Sequence, residues 1–248
     1  MIDRENTVKK LMSLIGIVGI AALGSAGTAQ ADHKPGHAAP APGPTPSLSL
    51  KSDTPVVRYN RLLTPPGGAA TLSGRLMGAD NAARVIVLEQ NPAPLADNVF
   101  EPTSYETTTD AKGDFRFTGV VTAVNSQFRA LTKGGGPQTT STPADVKVRP
   151  QVSRRVSDAT PSSGERVRFR GRIWPEHDGQ PVSIQRRGSD GRYRTVRRTT
   201  ARDVVGQVYS RYSVRVRVRT TGVYRVVVRP TDGAYLNGYS RARKLRVG

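Results

Sequence analysis

The chain has 248 residues, a formal net charge of +19 and no cysteine, which excludes disulfide bonds, thiol catalysis and a lipid-modified cysteine. Its length suits one large or two small folded domains. The charge is shared unevenly, since residues 32–150 carry 12 basic and 10 acidic side chains, whereas residues 151–248 carry 23 basic and 7 acidic ones.

Residues 1–31 are predicted to be a secretory signal peptide. Arg4, Lys9 and Lys10 precede an apolar run over 11–23, and residues 29–31 have the A-x-A form of a cleavage site. An uncleaved membrane anchor is the alternative, although Ser and Gly interrupt a run that is short for a span of ~20 residues. We therefore expect a secreted, extracellular protein, either released or retained at the cell envelope.

Residues 32–53 are rich in Ala, Pro, Gly and Ser. Such a segment buries too little apolar surface to offset the entropy of the chain, so we expect a disordered, partly polyproline linker. His33 and His37 lie in it, but the nearby prolines argue against the helix that would bring them to one face. No metal site is assigned to them.

Residues 54–149 are predicted to form a first β-sandwich, with an opening strand over 55–63. The run 85–88 is apolar on both parities, as expected for a covered strand. Asp110 and Gly113 make a turn into the strand that carries Phe115 and Phe117 on one face.

Residues 150–248 are predicted to form a second, strongly basic β-sandwich. Arginines alternate with Val167, Phe169 and Ile173 over 166–173, and a long strand over 206–219 is expected to place Val208 and Tyr212 inward. Because side chains along a strand point to opposite faces in turn, each stretch predicts a two-faced strand with arginine on one side.

The two halves repeat each other at an offset near ~100 residues, the size of one immunoglobulin-like domain. We therefore predict an all-β chain of two tandem immunoglobulin-like β-sandwiches. Three matched pairs carry the repeat: Gly74 and Gly171, Phe115 and Tyr209, Phe128-Arg129 and Tyr224-Arg225.

The second half resembles the bacterial Ig-like domains of secreted and cell-surface actinobacterial proteins. The first half, through Asp110, Gly113, Phe115 and Phe117, resembles carboxypeptidase-regulatory-like and collagen-adhesin B-type sandwiches. These resemblances imply adhesion, spacing or accessory binding, and their motifs specify turns and core without a catalytic site. The residues that carry the resemblance of the second half are Gly164, 170–173, Pro175, 179–187, 193–196, Gly206, 222–226 and Ser240.

Candidate chemical sites are sparse, and we predict no enzyme, no catalytic residues, no cofactor and no metal. The sequence Glu176-His177-Asp178 reads as a solvated turn, with site chemistry as the alternative. Asp110 and Asp114 are typical turn residues, with calcium binding as the alternative.

The arginine rows are the strongest indication of a function. The second and fifth strands of an Ig-like sandwich are neighbours in one sheet, so both rows should share an outer face where like charges repel. A polyanion relieves this repulsion, although solvated arginines in an arginine-biased chain are the alternative. The proposed polyanion-binding residues are Arg166, Arg168, Arg170, Arg172, Arg215, Arg217 and Arg219.

The predicted function is a non-enzymatic structural or interaction module of the cell envelope. The alternative is binding of anionic polymers or an anionic membrane surface through the second domain. Partners in that case are anionic envelope polymers, acidic glycans or anionic lipids, and other surface proteins are a further option. Tyr235 and Tyr239 are candidates for exposed stacking residues. No small-molecule substrate is implied, and the oligomeric state stays open.

Overall fold

Seventeen β-strands form the regular secondary structure of the protein, in a computed structural model that describes residues 45–95, 98–136 and 138–248. No helix capable of crossing a membrane occurs within these ranges. The predicted signal peptide, and the predicted linker as far as residue 44, lie outside the described residues.

The first sandwich pairs a three-stranded sheet, in the order β1-β3-β6, with a five-stranded sheet, β2-β8-β7-β4-β5. Strands β2 and β8 are parallel. Phe128, Leu72 and Ile86 are among the fully buried side chains between the sheets. The strands are β1 (Ser47–Ser52), β2 (Val56–Arg58), β3 (Gly68–Met77), β4 (Val85–Pro92), β5 (Glu101–Thr108), β6 (Asp114–Thr122), β7 (Ser126–Lys133) and β8 (Ala144–Arg149).

The second sandwich repeats this layout. One sheet has the order β10-β11-β14, with β9 also paired to β11, and the other has the order β13-β12-β15, with β16 and β17 both paired to β15. The strands are β9 (Gln151–Val152), β10 (Arg155–Val156), β11 (Glu165–Trp174), β12 (Pro181–Arg187), β13 (Tyr193–Thr200), β14 (Ser210–Val218), β15 (Gly222–Val228), β16 (Gly238–Tyr239) and β17 (Arg243–Leu245).

The prediction of an all-β chain with two tandem β-sandwiches is confirmed. When β1 and β2, and likewise β9 and β10, count as a split first strand, the second and fifth strands of each sandwich pair in one sheet. The third and sixth strands pair in the other. These two pairings also occur in immunoglobulin-like sandwiches, whereas the fourth strand pairs here with the third, β5 with β4 and β13 with β12.

The internal repeat is visible as matched packing around two glycines. Gly74 faces Phe115 across β3 and β6, and Gly171 faces Tyr212 across β11 and β14. A Cβ on either glycine would collide with that aromatic side chain and with a main-chain carbonyl, that of Ser49 for Gly74 and that of Ser153 for Gly171. Tyr212 therefore occupies in the second sandwich the position that Phe115 occupies in the first. The predicted match of Phe115 with Tyr209 was wrong.

Three boundaries differ from the prediction. The opening strand expected over 55–63 is only β2, Val56–Arg58, because turns follow from residue 61. Strand β1 lies inside the predicted linker, because Leu48 and Leu50 alternate with serine and lysine and are buried in the first core. Strand β14 begins at Ser210, since Gly206 at φ 73° sustains a turn before it. Val208 is consequently 77% exposed, contrary to its predicted inward position.

The two sandwiches are joined by hydrogen bonds that include a buried asparagine. Asn125, between β6 and β7, donates its main-chain N–H to the Ala234 carbonyl at 2.8 Å and its Nδ2–H to the Gly233 carbonyl at 2.9 Å. Its Oδ1 accepts the N–H of Val148 at 2.8 Å. Tyr235, from the same β15–β16 loop, packs against the first core. The β15–β16 loop of the second sandwich is thus hydrogen-bonded to the first sandwich, both at Asn125 and at Val148 of β8.

We predict that Asn125→Ala destabilises the protein. The change leaves the buried N–H of Val148 without its acceptor and removes a donor from the junction, which costs about 1–3 kcal/mol. Urea unfolding measures the loss. Asn237→Ala is the control, because that exposed side chain lies in the same loop. An equal loss for both variants would show that the junction does not depend on Asn125.

Candidate functional site

Guanidinium groups cover the outer face of the sheet formed by β10, β11 and β14. The register places Arg166 opposite Arg217, Arg168 opposite Arg215 and Arg172 opposite Arg211. Arg170 faces Ser213 on one side and Arg155 on the other. All these arginines are exposed. We call this surface the arginine face: Arg155, Arg166, Arg168, Arg170, Arg172, Arg211, Arg215 and Arg217.

The arginine face exists because the residues that alternate with these arginines along β11 and β14 point inward into the core. Val167, Phe169 and Ile173 of β11 are fully buried in the second core. Full burial of one such side chain stabilises the fold by about 1.5–3 kcal/mol, so the pleat sends every intervening residue to solvent. The predicted rows are thus neighbours, as expected, and Arg219 is exposed just beyond the end of β14.

Serines separate the arginines on the β9–β10 side of the sheet. The Oγ of Ser157 accepts the main-chain N–H of Arg168 at 2.9 Å, and the Oγ of Ser153 accepts that of Arg172 at 2.8 Å. Each of these two arginines therefore has one arginine and one serine as its cross-strand neighbours. This spacing limits the repulsion without adding negative charge.

The corresponding face of the first sandwich is neutralised by acids. Arg75 pairs with Asp114 and Arg116 with Asp53, the latter at 3.4 Å. The Arg75–Asp114 cross-strand pair occupies the position that Arg172 and Arg211 occupy in the second sandwich, relative to the matched glycines. Within the described ranges, no member of the arginine face has a carboxylate within salt-bridge distance.

We predict that Arg168→Gln stabilises the protein at low ionic strength. The change removes the like charge directly opposite Arg215, which is worth about 0.2–1 kcal/mol. At 1 M salt the screening length is about 3 Å, so the gain should vanish. Chemical denaturation at both ionic strengths measures it. Arg187→Gln is the control, since Arg187 faces Tyr193, and a gain of the same size there would exclude cross-strand repulsion as the cause.

Three carboxylates lie together at one end of the second sandwich. Ligand atoms of Glu176, Asp178 and Asp203 are all within 4.8 Å of one another. A hydrogen bond with Asp178, reinforced by its negative charge, raises the pKa of Glu176. Asp178 also accepts the Oγ–H of Ser210 at 2.6 Å. Asp178 is thus held by Ser210, while Asp203 reaches the cluster from the segment between β13 and β14.

His177, within that segment, is buried rather than solvated, which corrects the predicted solvated turn. Its main-chain N–H donates to Ser210 Oγ at 2.6 Å, Nδ1 lies 2.8 Å from the Pro175 carbonyl, and the ring packs edge-on against Tyr235. Its Nε2 has no hydrogen-bond partner among the described residues. Burial lowers the pKa of His177, opposed by the Pro175 carbonyl and the carboxylates of Asp232 and Asp178.

We predict that the free energy of unfolding falls as the pH drops below about 6.5, the ordinary histidine value. The folded-state pKa of His177 is lowered, so the unfolded chain binds more protons in this window and acid favours unfolding. Urea unfolding between pH 7.5 and pH 5 measures the loss. His177→Gln should flatten the curve over that window, and an unchanged slope would assign the pH dependence to other groups.

The candidate calcium residues of the first sandwich have structural roles. The Oδ1 atom of Asp110 accepts the main-chain N–H groups of Lys112 at 2.8 Å and Asp114 at 2.9 Å. The carboxylate of Asp114 pairs with Arg75. His33 and His37 lie outside the described residues.

The tyrosines proposed for exposed stacking are both engaged. Tyr235 packs on the first core, and burial, as the largest cause, raises its pKa to about 12. The Arg225 guanidinium lies 4.6 Å from the Tyr239 ring and 3.9 Å from the Tyr193 ring. The prediction that Tyr235 could be an exposed stacking residue was therefore wrong.

Sequence reasoning also missed residues beside the arginine face. Arg61, from the first sandwich, lies 5.4 Å from the ring centroid of Trp174, which in turn lies 5.7 Å from Tyr209. The guanidinium of Arg172 stands 4.6 Å from the Tyr209 ring. Arg155 and Arg211, two members of the arginine face, were also not among the predicted residues, although the strand parity of Arg211 gave a local signal. The contacts of Arg61, Trp174 and Tyr209 join segments that are distant in the chain.

No protein-family model matches the chain, and no curated protein matches it either. Among solved structures, the chain is similar to a tetra-tandem repeat from the extending region of a large adhesion protein. The TM-score is 0.35 and the identity is 16%, over 82% of this chain and 50% of that one. The chain thus spans about half the length of that structure.

Proposed function

We propose that the protein is a non-enzymatic, extracellular structural or interaction module of the cell envelope, and that the arginine face is its binding surface. The observation that carries this proposal is the register of β11 and β14, which sets three arginines directly opposite three others on an exposed face. Cross-strand like charges are unfavourable, and a polyanion laid over them removes that cost.

The chemistry of the side chain favours an anionic partner. Arginine offers a planar fork of donors that binds phosphate and carboxylate oxygens in pairs and stays charged at all physiological pH values. Anionic envelope polymers, acidic glycans and anionic lipids all present such groups. Residues 151–248 carry 23 basic and 7 acidic side chains, a net charge of +16. The long-range attraction of this charge speeds association with an anionic partner.

The structural role is supported by the junction between the sandwiches. Hydrogen bonds from Asn125 and the contact of Tyr235 with the first core couple the two sandwiches. A coupled tandem of this kind suits a spacer that presents one face outward. The predicted signal peptide and the resemblance to bacterial Ig-like domains of actinobacterial surface proteins support the extracellular location.

We predict that the mature protein cosediments with isolated cell-envelope particles and is released by salt. Counterion release makes such binding weaken steeply as salt rises. The variant R168Q/R170Q/R215Q/R217Q should bind at least tenfold more weakly at 0.1 M salt. Sedimentation followed by quantification of the bound fraction measures both effects.

The matched control removes the same charge elsewhere. Arg187, Arg192, Arg198 and Arg246 are exposed arginines outside the arginine face, and their replacement by glutamine should weaken binding much less. Equal weakening by both quadruple variants would show that net charge, rather than the arginine face, is responsible. Binding that does not respond to salt would overturn the anionic-partner proposal.

A further inference from the structure

One end of the arginine face is a groove built by both sandwiches. It has a volume of about 710 Å³ and seven arginines line it, a size within the usual range of ligand sites. Five of them belong to the arginine face. The other two are Arg202 and Arg61. The main chain of Arg202 forms an isolated β-bridge with that of Arg211, and Arg61 comes from the first sandwich.

Aromatic rings hold several of these guanidinium groups in place. Arg61 stacks on Trp174 at 5.4 Å, while Arg172 and Arg211 lie 4.6 and 5.7 Å from the Tyr209 ring. Such cation–π contacts orient the planar group and leave its N–H edges available. The first sandwich therefore contributes a positioned charge to a groove that lies mainly in the second.

Most of the donors in the groove are available to a ligand. Among the groove arginines of the described chain, only Arg211 makes a side-chain hydrogen bond, from Nη2 to the Tyr209 hydroxyl at 3.2 Å. One carboxylate does not satisfy seven guanidinium groups. A ligand with several phosphates does, because each phosphate accepts bidentate hydrogen bonds.

The arrangement along the strands favours a linear ligand. Arginines at every second position of β11 stand about 6.8 Å apart. Next to Arg166, Arg215 and Arg217, a smaller depression of about 360 Å³ lies at the β14 edge, where Arg197 of β13 from the other sheet also lines it. A chain with one phosphate per short repeat can follow this row from one depression to the other.

The aromatic residues argue against a ligand that is held by base stacking. Trp174 is 9% exposed, Tyr209 8% and Tyr212 2%, and guanidinium groups already lie over the first two. Single-stranded nucleic acid binds through bases stacked on open aromatic faces. The groove offers charge and phosphate-binding donors without such faces.

We propose that this groove, completed by Arg61, binds a linear phosphodiester polymer without stacking bases, that is, a polyol-phosphate chain. The inference rests on the proposed function of the arginine face and specifies its ligand. The phosphates run along the arginines of β11 and β14, and Arg61 binds the end of the chain segment beside Trp174.

The test measures binding of the full mature protein to poly(glycerol phosphate) of defined length by calorimetry at several salt concentrations. Single-stranded poly(dT) with the same number of phosphates and poly-glutamate of equal charge are the comparison ligands. We expect poly(glycerol phosphate) to bind at least tenfold more tightly than either. Arg61→Gln should weaken it about fivefold and reduce the slope of log K against log salt by about 0.7.

Two further variants separate the groove from general charge. Lys112→Gln removes one exposed charge from the first sandwich and should leave the affinity unchanged. Arg211→Asp places an acid opposite Arg172, as Asp114 stands opposite Arg75. This variant should fold with unchanged or higher stability and bind at least tenfold more weakly.

Each contrary result would overturn a specific part of the proposal for the groove. Tighter binding of poly(dT) would mean that aromatic faces open for bases, and equal binding of poly-glutamate would reduce the groove to net charge. An unaffected Arg61→Gln variant would remove the first sandwich from the site. If poly(glycerol phosphate) does not bind while envelope particles still do, this inference fails and the proposed function stands; if neither binds, both fail.

Discussion

The pairing of β11 with β14 is the constraint on which the charged surface depends. One register buries Val167, Phe169 and Ile173 on the inner side and, by the same pleat, brings Arg168 opposite Arg215 on the outer side. A slip of one residue would exchange the two rows and send guanidinium groups into the core. The hydrophobic core therefore maintains an arrangement of like charges that the strands alone would not favour.

The second constraint is the junction, because the groove needs both sandwiches in a fixed relation. Asn125 and Tyr235 couple the β15–β16 loop to the first sandwich, and Arg61 reaches Trp174 at another point of contact. A flexible linker between the domains would not keep Arg61 beside Trp174. The hydrogen bonds of Asn125, remote from the arginines, thus support the shape of the groove.

Local pattern was enough to predict β11 and β14 as two-faced strands with arginine rows on one side, because alternation is a property of successive residues. It failed where chain neighbours do not decide the outcome. Leu48 and Leu50 alternate within a proline-rich segment whose composition outweighed them, and Val208 follows a parity that the turn at Gly206 interrupts. The burial of His177 and the contact of Arg61 with Trp174 come from packing between distant segments, which one sequence does not reveal.

A general bias toward arginine explains abundance but not the difference between the two sandwiches. The same cross-strand position holds an arginine and an acid in the first sandwich, at Arg75 and Asp114, and two arginines in the second, at Arg172 and Arg211. The fold accepts either pair, since the flanking glycine and aromatic residue pack alike in both. The acid is the more favourable partner for stability. Arginine at both positions in one sandwich only agrees with the proposed anionic ligand, which would supply the missing negative charge.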